Sequence, residues 1–221
     1  MFKKVLIAED HEVANLSVQK TIKELGVSES HYVYYCDDAL ARIKKGLADG
    51  APYDLLITDL VFEEDEVSQK ISGGKDLVRL VKELQPDIKV IVFSSIDRIS
   101  LIDGLFRNLQ IDGYVRKARN DGQHLREALE SVSQNKIYQS PDIRQSLRSK
   151  NTHEFSALDI QILQSLSQGI KQKNIPEILV AKNIKPSGLS SIEKRLNLMK
   201  EVFGFTNNEQ LVVYCKDKGL F

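Results

Sequence analysis

Acidic, hydroxyl and ammonium side chains stand at the ends of four short apolar runs in this sequence. Runs this short, bounded by polar residues, predict buried strands of a parallel sheet, and ligands bind beyond the carboxyl ends of such strands. We therefore expect these side chains to converge on one site. In chain order they are Glu9-Asp10 after 4–8, Asp59 after 54–58, Ser94 after 89–93 and Lys117 after 112–116.

The three carboxylates and the lysine together favour phosphoryl chemistry. Oxygen ligands with open positions suit Mg²⁺, which binds through one or two carboxylates and a phosphate, so Glu9, Asp10 and Asp59 are its candidate ligands. With a cation bound, a carboxylate can act as nucleophile toward phosphorus. Lys117 would then pair with the phosphoryl oxygens, and Ser94 would donate a hydrogen bond to one of them. An isolated aspartate after a strand is more often a turn or cap residue, so the prediction depends on the joint pattern.

The elements that must position these side chains alternate regularly between strand and helix. Five such alternations end by residue 134, which predicts an α/β domain with a five-stranded, doubly wound parallel sheet and helices on both faces. A long polar loop after Asp59 carries Glu63-Glu64-Asp65-Glu66 and Gly73-Gly74 before the next helix resumes at Leu77. The predicted strands are 4–8, 32–36, 54–60, 89–93 and 112–116.

Beyond residue 134 the strand signal disappears. Residues 135–154 are polar and predict a linker with a possible helix around 143–147. From Phe155 onward apolar residues recur at helical spacing in four segments, which predicts a second, small all-α domain. We therefore predict domains over 1–134 and 155–221.

Composition and charge bound the function. The chain has 221 residues, of which 42% are hydrophobic and 28% charged, enough for one sizeable core and a small second one. Its formal net charge is zero. The 17 basic and 20 acidic residues of 1–119 give −3, so 120–221 carries +3, a mild asymmetry that permits a nucleic-acid partner at the C-terminal end. Two cysteines and no long apolar stretch predict a cytoplasmic protein without a membrane partner.

The site pattern resembles the receiver domain of two-component response regulators over residues 3–134. The resemblance rests on Glu9-Asp10, Asp59, Ser94, Tyr114 and Lys117 in that order. It implies a flavodoxin-like fold, phosphorylation of Asp59 by a sensor histidine kinase, and a switch formed by Ser94 and Tyr114. It also implies Mg²⁺ bound by Asp10, Asp59 and the backbone carbonyl of Val61, with Glu9 acting through water. The alternative for Tyr114 is that its ring simply fills the buried core and has no part in a switch.

Two departures from that family stand near the site. The loop after Asp59 is longer than usual and acidic, and its charge could disfavour phosphorylation, help to hold the metal or simply be solvated. Lys117 is followed by Ala118 instead of the frequent proline. The second departure concerns the local backbone and leaves the role of the lysine unchanged.

The C-terminal segment, about 155–219, resembles the LuxR-type helix-turn-helix domain that ends many response regulators. The matching residues include Phe155-Ser156, Asp159, Gly169, the run 173–179 and Gly204. In that family the helix after the turn enters the DNA major groove; here it would begin near Pro186. The resemblance places the candidate DNA contacts at Lys173, Lys185, Ser187, Ser190, Ser191, Lys194 and Arg195.

Two functions from different classes follow. In the first, the protein is a phosphorylation-switched transcription factor that binds DNA as a homodimer. In the second, prompted by Glu193 on the groove-reading helix, the C-terminal domain binds a protein instead, because a glutamate repels DNA phosphates. An enzyme is a distant third. A haloacid-dehalogenase-type phosphatase needs an aspartate where Val61 stands, and no GxGxxG follows the first strand. We expect no catalysis beyond self-catalysed phosphotransfer and hydrolysis of the aspartyl phosphate.

Overall fold

The computed structural model of the chain describes residues 2–63 and 68–221, without the side chains of 150–152. Contacts divide the chain into two compact units. Met1–Asp97 and Leu101–Arg144 form the first unit, and Arg98–Ser100 with Gln145–Phe221 form the second. The main boundary, after residue 144, falls within the segment 135–154 that the sequence predicts as a linker.

The first unit is built on one parallel sheet whose strands lie in the order β2-β1-β3-β4-β5-β6. Helices connect successive strands, which is the arrangement that strand-helix alternation predicts. The strands are β1 (Lys4–Ala8), β2 (Glu29–Val33), β3 (Leu55–Thr58), β4 (Lys89–Ser94), β5 (Gly113–Arg116) and β6 (Tyr138–Gln139). The helices are α1 (Glu12–Glu24), α2 (Cys36–Ala48), α3 (Gly74–Leu84), α4 (Ile99–Leu109) and α5 (Asp121–Ser133).

The central strands are buried on both faces. All four residues of β3 are at most 1% exposed, as expected where helices cover both sides of a sheet. Alternate residues along a strand point to opposite faces. Val5 and Ile7 of β1 accordingly belong to the core cluster that includes Val18 and Ile22 of α1 and the inward residues of α5. The opposite face of the sheet is covered by the pair α2 and α3, which pack against each other.

The chain changes direction across the sheet at β1. It passes from β1 to β2 on one side and then returns to β3 on the other. The loops that leave β1 and β3 therefore part from each other and open a crevice at the carboxyl ends of these strands. Glu9-Asp10 and Asp59 follow those two ends.

The prediction of five strands misses β6. Tyr138 and Gln139 pair in parallel with Gly113 and Tyr114 of β5. The strand is only two residues long, too short for any apolar periodicity to reveal it. It is held by Tyr138, which is 4% exposed, and by the Ser140 hydroxyl, which accepts a hydrogen bond from the Arg116 amide at 2.9 Å.

The second strand is also shifted from its predicted position. It spans Glu29–Val33 instead of 32–36, in register with Lys4 through Ala8 of β1. It is the edge strand of the sheet, and most of its residues are exposed, so it lacks an apolar pattern. Tyr32, Tyr34 and Tyr35 give the segment 32–36 the apolar character that led to the wrong prediction. Cys36 is buried and opens α2, with Asp37 and Asp38 in the first helical turn.

The second unit is helical, as the sequence predicts. Apolar residues from four of its helices form one core that includes Leu163, Leu179, Leu196 and Leu211. A 3₁₀ turn, Gln172–Asn174, precedes the short helix α8. The helices that follow β6 in the chain are α6 (Pro141–Thr152), α7 (Ala157–Ser167), α8 (Ile175–Ala181), α9 (Leu189–Phe203) and α10 (Asn208–Asp217). In residues 2–63 and 68–221, no helix has both the length and the apolar character needed to cross a bilayer.

Candidate functional site

The register of β1 and β3 places the acidic residues side by side. Ala8 pairs with Thr58, and the amide of Asp59 donates to the carbonyl of Ala8 at 3.1 Å. The next residues along both strands therefore leave the sheet together. Glu9 and Asp59 are 1% and 3% exposed, so two carboxylates are buried at one point of the fold.

Lys117 joins these two carboxylates. Its Nζ lies 2.6 Å from Oδ2 of Asp59 and 2.7 Å from Oε2 of Glu9. The backbone fixes this position because the Lys117 amide donates to the carbonyl of Ser94, the last residue of β4, at 2.8 Å. Nζ also lies over the ring of Phe93, 5.4 Å from its centroid. The structure thus brings together the lysine and the acids that the sequence predicts to converge.

Burial and charge pairing act in opposite directions on these groups. Burial raises the pKa of Glu9 above its ordinary value, and the hydrogen bond from Lys117 offsets only part of that rise. For Lys117, burial acts to lower the pKa, but hydrogen bonds to Asp59 and Glu9 outweigh it and leave the pKa raised. Lys117 therefore stays protonated and serves as the resident counter-charge of the pair.

The donor set around Asp59 fits a hard divalent cation. Glu9, Asp10, His11 and Asp59 each offer a ligand atom, and these four atoms lie within 4.8 Å of one another. Three of the donors are carboxylate oxygens, which Mg²⁺ prefers. The amide of Val61 donates to Oδ1 of Asp59 at 3.3 Å, so the backbone of Val61 lies beside the site. Its carbonyl as a ligand stays a prediction.

Ser94 and Tyr114 are buried next to this site. Both side chains are fully buried. The Tyr114 hydroxyl donates to the carbonyl of Ile96 at 2.7 Å and interacts with the side chain of Ser94, while burial raises the Tyr114 pKa. The ring fills the core and at the same time ties down the segment that follows β4, so both of its predicted explanations are compatible with the structure.

Gly74 and Asp37 position the end of the loop that follows Asp59, and the sequence pattern singles out neither residue for this role. A Cβ atom on Gly74 would lie 1.7 Å from the Asp59 carbonyl oxygen, so only glycine lets α3 begin this close to β3. The carboxylate of Asp37 accepts hydrogen bonds from the amides of Lys70 and Ile71 at 2.9 and 3.1 Å. A glycine pair and an acid at a helix start are the only sequence signals for these two roles.

Of the acidic stretch Glu63–Glu66 in the same loop, the structure describes only Glu63. The Glu63 amide donates to Oδ2 of Asp10 at 2.7 Å, which holds the start of the loop against the site. Glu64, Asp65 and Glu66 lie outside the described residues, and so do the roles predicted for them.

The C-terminal unit presents most of the predicted DNA contacts at its surface. Lys173, Lys185, Ser190 and Lys194 are exposed, and Ser187 and Ser191 are partly exposed. The helix α9 begins at Leu189, a little after the predicted start near Pro186. Glu193 is exposed, and its Oε1 lies 3.5 Å from the side-chain Nε2 of Gln172.

Arg195 differs from the other predicted contacts because its guanidinium is engaged inside the unit. Its Nε donates to Oδ1 of Asp159 at 2.8 Å, and Nη2 bonds Oδ2 of the same carboxylate. Asp159 is fully buried and also forms a capping box with Ser156 at the start of α7. The structure therefore gives Arg195 the role of joining α9 to α7, which no helical periodicity could reveal.

A scan of family models and a search of curated proteins found no match to this sequence. Solved structures do match. One from a study of conformational dynamism for DNA interaction in the Salmonella typhimurium RcsB response regulator has a TM-score of 0.67 and 19% identity, and it covers 97% of this chain and 98% of that chain. This chain has the two-domain fold of RcsB.

Two further RcsB structures agree with that assignment. A structure of two RcsB dimers bound to two parallel DNAs has a TM-score of 0.61 and 20% identity over 97% of this chain and 98% of that one. The isolated REC domain of RcsB from Salmonella enterica serovar Typhimurium, with the phosphomimetic BeF₃⁻, has a TM-score of 0.52 and 20% identity over 65% of this chain and 96% of that one. The predicted fold class, a receiver-like α/β domain followed by a helical domain, is confirmed.

Proposed function

We propose that this protein is a response regulator that accepts a phosphoryl group on Asp59 and regulates transcription through its C-terminal domain. The observation that carries the proposal is the meeting of Glu9, Asp10, Asp59 and Lys117 at one edge of the sheet. Each member has a separate role in phosphoryl transfer. A carboxylate alone is a weak nucleophile toward a charged phosphate, and the surrounding charges make the attack feasible.

Asp59 is the nucleophile of this site. One of its carboxylate oxygens forms a bond to phosphorus while the bond between phosphorus and the donor breaks and its electron pair leaves with the donor. Lys117 exchanges part of its contact with Asp59 for the phosphoryl oxygens, and the Ser94 hydroxyl donates to one of them. Glu9, Asp10, Asp59 and the Val61 carbonyl would hold Mg²⁺, which offsets the negative charge that gathers on the phosphoryl group.

A surface groove supports a protein phosphodonor. It has a volume of about 550 Å³ and includes both Asp59 and Lys117 in its lining. Val13 and Val61, which also line it, are 82% and 49% exposed. Exposed apolar walls around a charged floor suit a helix that presents a phosphohistidine, so we propose a sensor histidine kinase as the donor.

The C-terminal unit is proposed to bind DNA as part of a homodimer. Support comes from the exposed Lys173, Lys185 and Lys194 around α8 and α9 and from the RcsB dimers bound to DNA that share this fold. Exposed lysines supply the phosphate contacts that dominate DNA affinity. Catalysis is limited to self-catalysed phosphotransfer and hydrolysis of the aspartyl phosphate.

The exposed carboxylate of Glu193 favours a second candidate function, in which the helical domain binds a protein instead of DNA. Fluorescence anisotropy of labelled genomic DNA fragments, with and without acetyl phosphate and at two salt concentrations, separates the two functions. A transcription factor binds some fragments, and its affinity falls steeply as salt rises. Failure to bind any fragment, even after phosphorylation, would favour the adaptor.

A further inference from the structure

A histidine lies among the carboxylates of the phosphoryl site. Nδ1 of His11 is 3.1 Å from Oδ1 of Asp10 and 3.5 Å from Oε1 of Glu9. The ring is 54% exposed, so it can turn without disturbing the core. His11 occupies the N-cap position of α1, and its side chain makes no capping hydrogen bond. The backbone is therefore held by the helix while the imidazole stays available to a ligand.

The spacing of the donors suits one cation. With metal–ligand bonds of about 2.1 Å, adjacent ligands of an octahedral ion lie about 3 Å apart and opposite ligands about 4.2 Å apart. The 3.1 Å between His11 and Asp10 matches adjacent ligands. The full set of Glu9, Asp10, His11 and Asp59 spans no more than 4.8 Å, so small side-chain rotations bring all four onto one ion.

His11 supplements donors that are already engaged. Lys117 bonds Glu9 and Oδ2 of Asp59, and the Glu63 amide bonds Oδ2 of Asp10. Oδ1 of Asp10 and Nδ1 of His11 are 3.1 Å apart, and neither atom takes part in these bonds to Lys117 and the Glu63 amide. A cation entering between them replaces the contact that joins the two residues, and it reaches Glu9 and Asp59 as Lys117 gives up part of its contact with them.

A second carboxylate lies on the far side of the imidazole. Oε1 of Glu63 is 3.5 Å from Nε2 of His11. A metal-binding histidine generally donates its other ring N–H to a carboxylate or carbonyl, which fixes the tautomer and makes the ligating nitrogen more basic. Glu63 stands where that partner is needed, with the metal on Nδ1 and the proton on Nε2.

We propose that Nδ1 of His11 is a ligand of the divalent cation at the Asp59 site and that Glu63 orients its ring. The inference depends on the site proposed above and adds its metal specificity. A nitrogen donor is a poor ligand for Mg²⁺ but suits first-row transition metals. The site therefore discriminates in favour of a transition-metal dication over Mg²⁺, with His11 as the specificity-determining residue.

Calorimetric titration of the full-length protein with Mn²⁺ and with Mg²⁺ tests this proposal. The variants are His11→Gln and Glu63→Gln, with His31→Gln as the control, because His31 lies on β2 and is not among the donors grouped around Asp59. We expect His11→Gln to weaken Mn²⁺ binding by about tenfold or more and to leave Mg²⁺ binding within about twofold. We expect Glu63→Gln to weaken Mn²⁺ binding by about tenfold, because the carboxylate that orients the His11 ring is lost. His31→Gln changes neither affinity.

Electron spin-echo spectroscopy of bound Mn²⁺ gives an independent readout. Nitrogen coupling appears in the wild type and in His31→Gln and is absent from His11→Gln. Absence of nitrogen coupling in the wild type, or equal losses of Mg²⁺ and Mn²⁺ affinity in His11→Gln, overturns the proposal. Neither measurement involves phosphoryl transfer. A protein that shows the nitrogen coupling but takes no phosphoryl group would refute the proposed function while leaving this inference standing.

Discussion

The ammonium nitrogen of Lys117 lies 2.6 Å from a carboxylate oxygen of Asp59, although 58 residues separate them in the sequence. The same nitrogen bonds Glu9. Lys117 is therefore the cation that makes two buried carboxylates tolerable. In the phosphoryl transfer that we propose, the same charge would pass to the phosphoryl oxygens, so a single side chain would serve both states.

Replacing Lys117 with methionine separates metal binding from phosphoryl transfer. We expect the rate of labelling by acetyl phosphate to fall by about 100-fold, because the transition state loses one positioned charge. Mg²⁺ affinity stays equal or rises, since a competing cation has left Glu9 and Asp59. Lys89→Met is the control, because Lys89 pairs with Asp112 on the other end of the sheet. An equal loss of rate in both variants would show that the effect comes from general destabilisation.

Gly74→Ala tests the close approach of α3 to β3. The added Cβ would lie 1.7 Å from the Asp59 carbonyl oxygen, so the backbone must move. We expect a loss of about 3 kcal/mol in the free energy of opening, measured by hydrogen exchange of peptides from β3 and α3. In Gly122→Ala of α5 the added Cβ meets no atom within 4 Å, and we expect the opening free energy to rise by up to about 1 kcal/mol, the difference in helix propensity. An unchanged opening free energy in Gly74→Ala would contradict the close approach of α3 to the Asp59 carbonyl.

The pairing of Asp159 with Arg195 predicts acid sensitivity of the helical unit. Burial alone would raise the pKa of Asp159, but hydrogen bonds from Arg195 and Ser156 outweigh it and hold the pKa below its usual value. A depressed folded-state pKa contributes stability above the unfolded value of about 3.9, and that stability is lost as the pH falls through the folded pKa.

Hydrogen exchange of peptides from α7 and α9 measures this contribution. We expect their opening free energy to decline below about pH 4 in the wild type and to decline less in Asp159→Asn, which has no proton to gain. Asp217→Asn, at an exposed position of α10, should behave as the wild type. Identical acid profiles for wild type and Asp159→Asn would assign the acid sensitivity to other groups.

Arg195→Ala should lower the opening free energy by about 2 kcal/mol, because a buried carboxylate loses its cation.

The exposed lysines should set the salt dependence of DNA binding. Lys185→Ala and Lys194→Ala are each expected to reduce the slope of log affinity against log salt by about one, because each removes one phosphate contact. Lys44→Ala, exposed on α2 in the first unit, provides the matched loss of charge. Anisotropy titrations between low and moderate salt measure the slopes. Equal slopes in all four proteins would place the DNA contacts elsewhere.

The convergence of Asp59, Glu9 and Lys117 was predictable because a parallel sheet brings the ends of its strands to one edge. Short apolar runs mark such strands, and the residue after each run marks the edge. The same reasoning failed for β2 and β6. One is an exposed edge strand, and the other is two residues long, so neither leaves an apolar pattern. Their positions depend on hydrogen bonds to β1 and β5.

Contacts between side chains that are distant in the sequence could not be predicted from apolar periodicity. Arg195 looks like a surface residue from its charge, and only the structure shows its carboxylate partner on α7. Gly74 and Asp37 likewise act on backbone groups that are remote in the sequence. Sequence patterns specify which residues face a core or a strand end. The pairing of one group with another is decided when the elements pack.

Peptide-level mass spectrometry of the full-length protein treated with acetyl phosphate and Mg²⁺ tests the central claim most directly. We expect one phosphoryl group, located on Asp59, in the wild type and none in Asp59→Asn. The substitution is nearly isosteric, so an unchanged circular dichroism spectrum should show that the fold is kept. Phosphoryl label at another residue of the wild type, or persistent labelling of Asp59→Asn, would contradict the account.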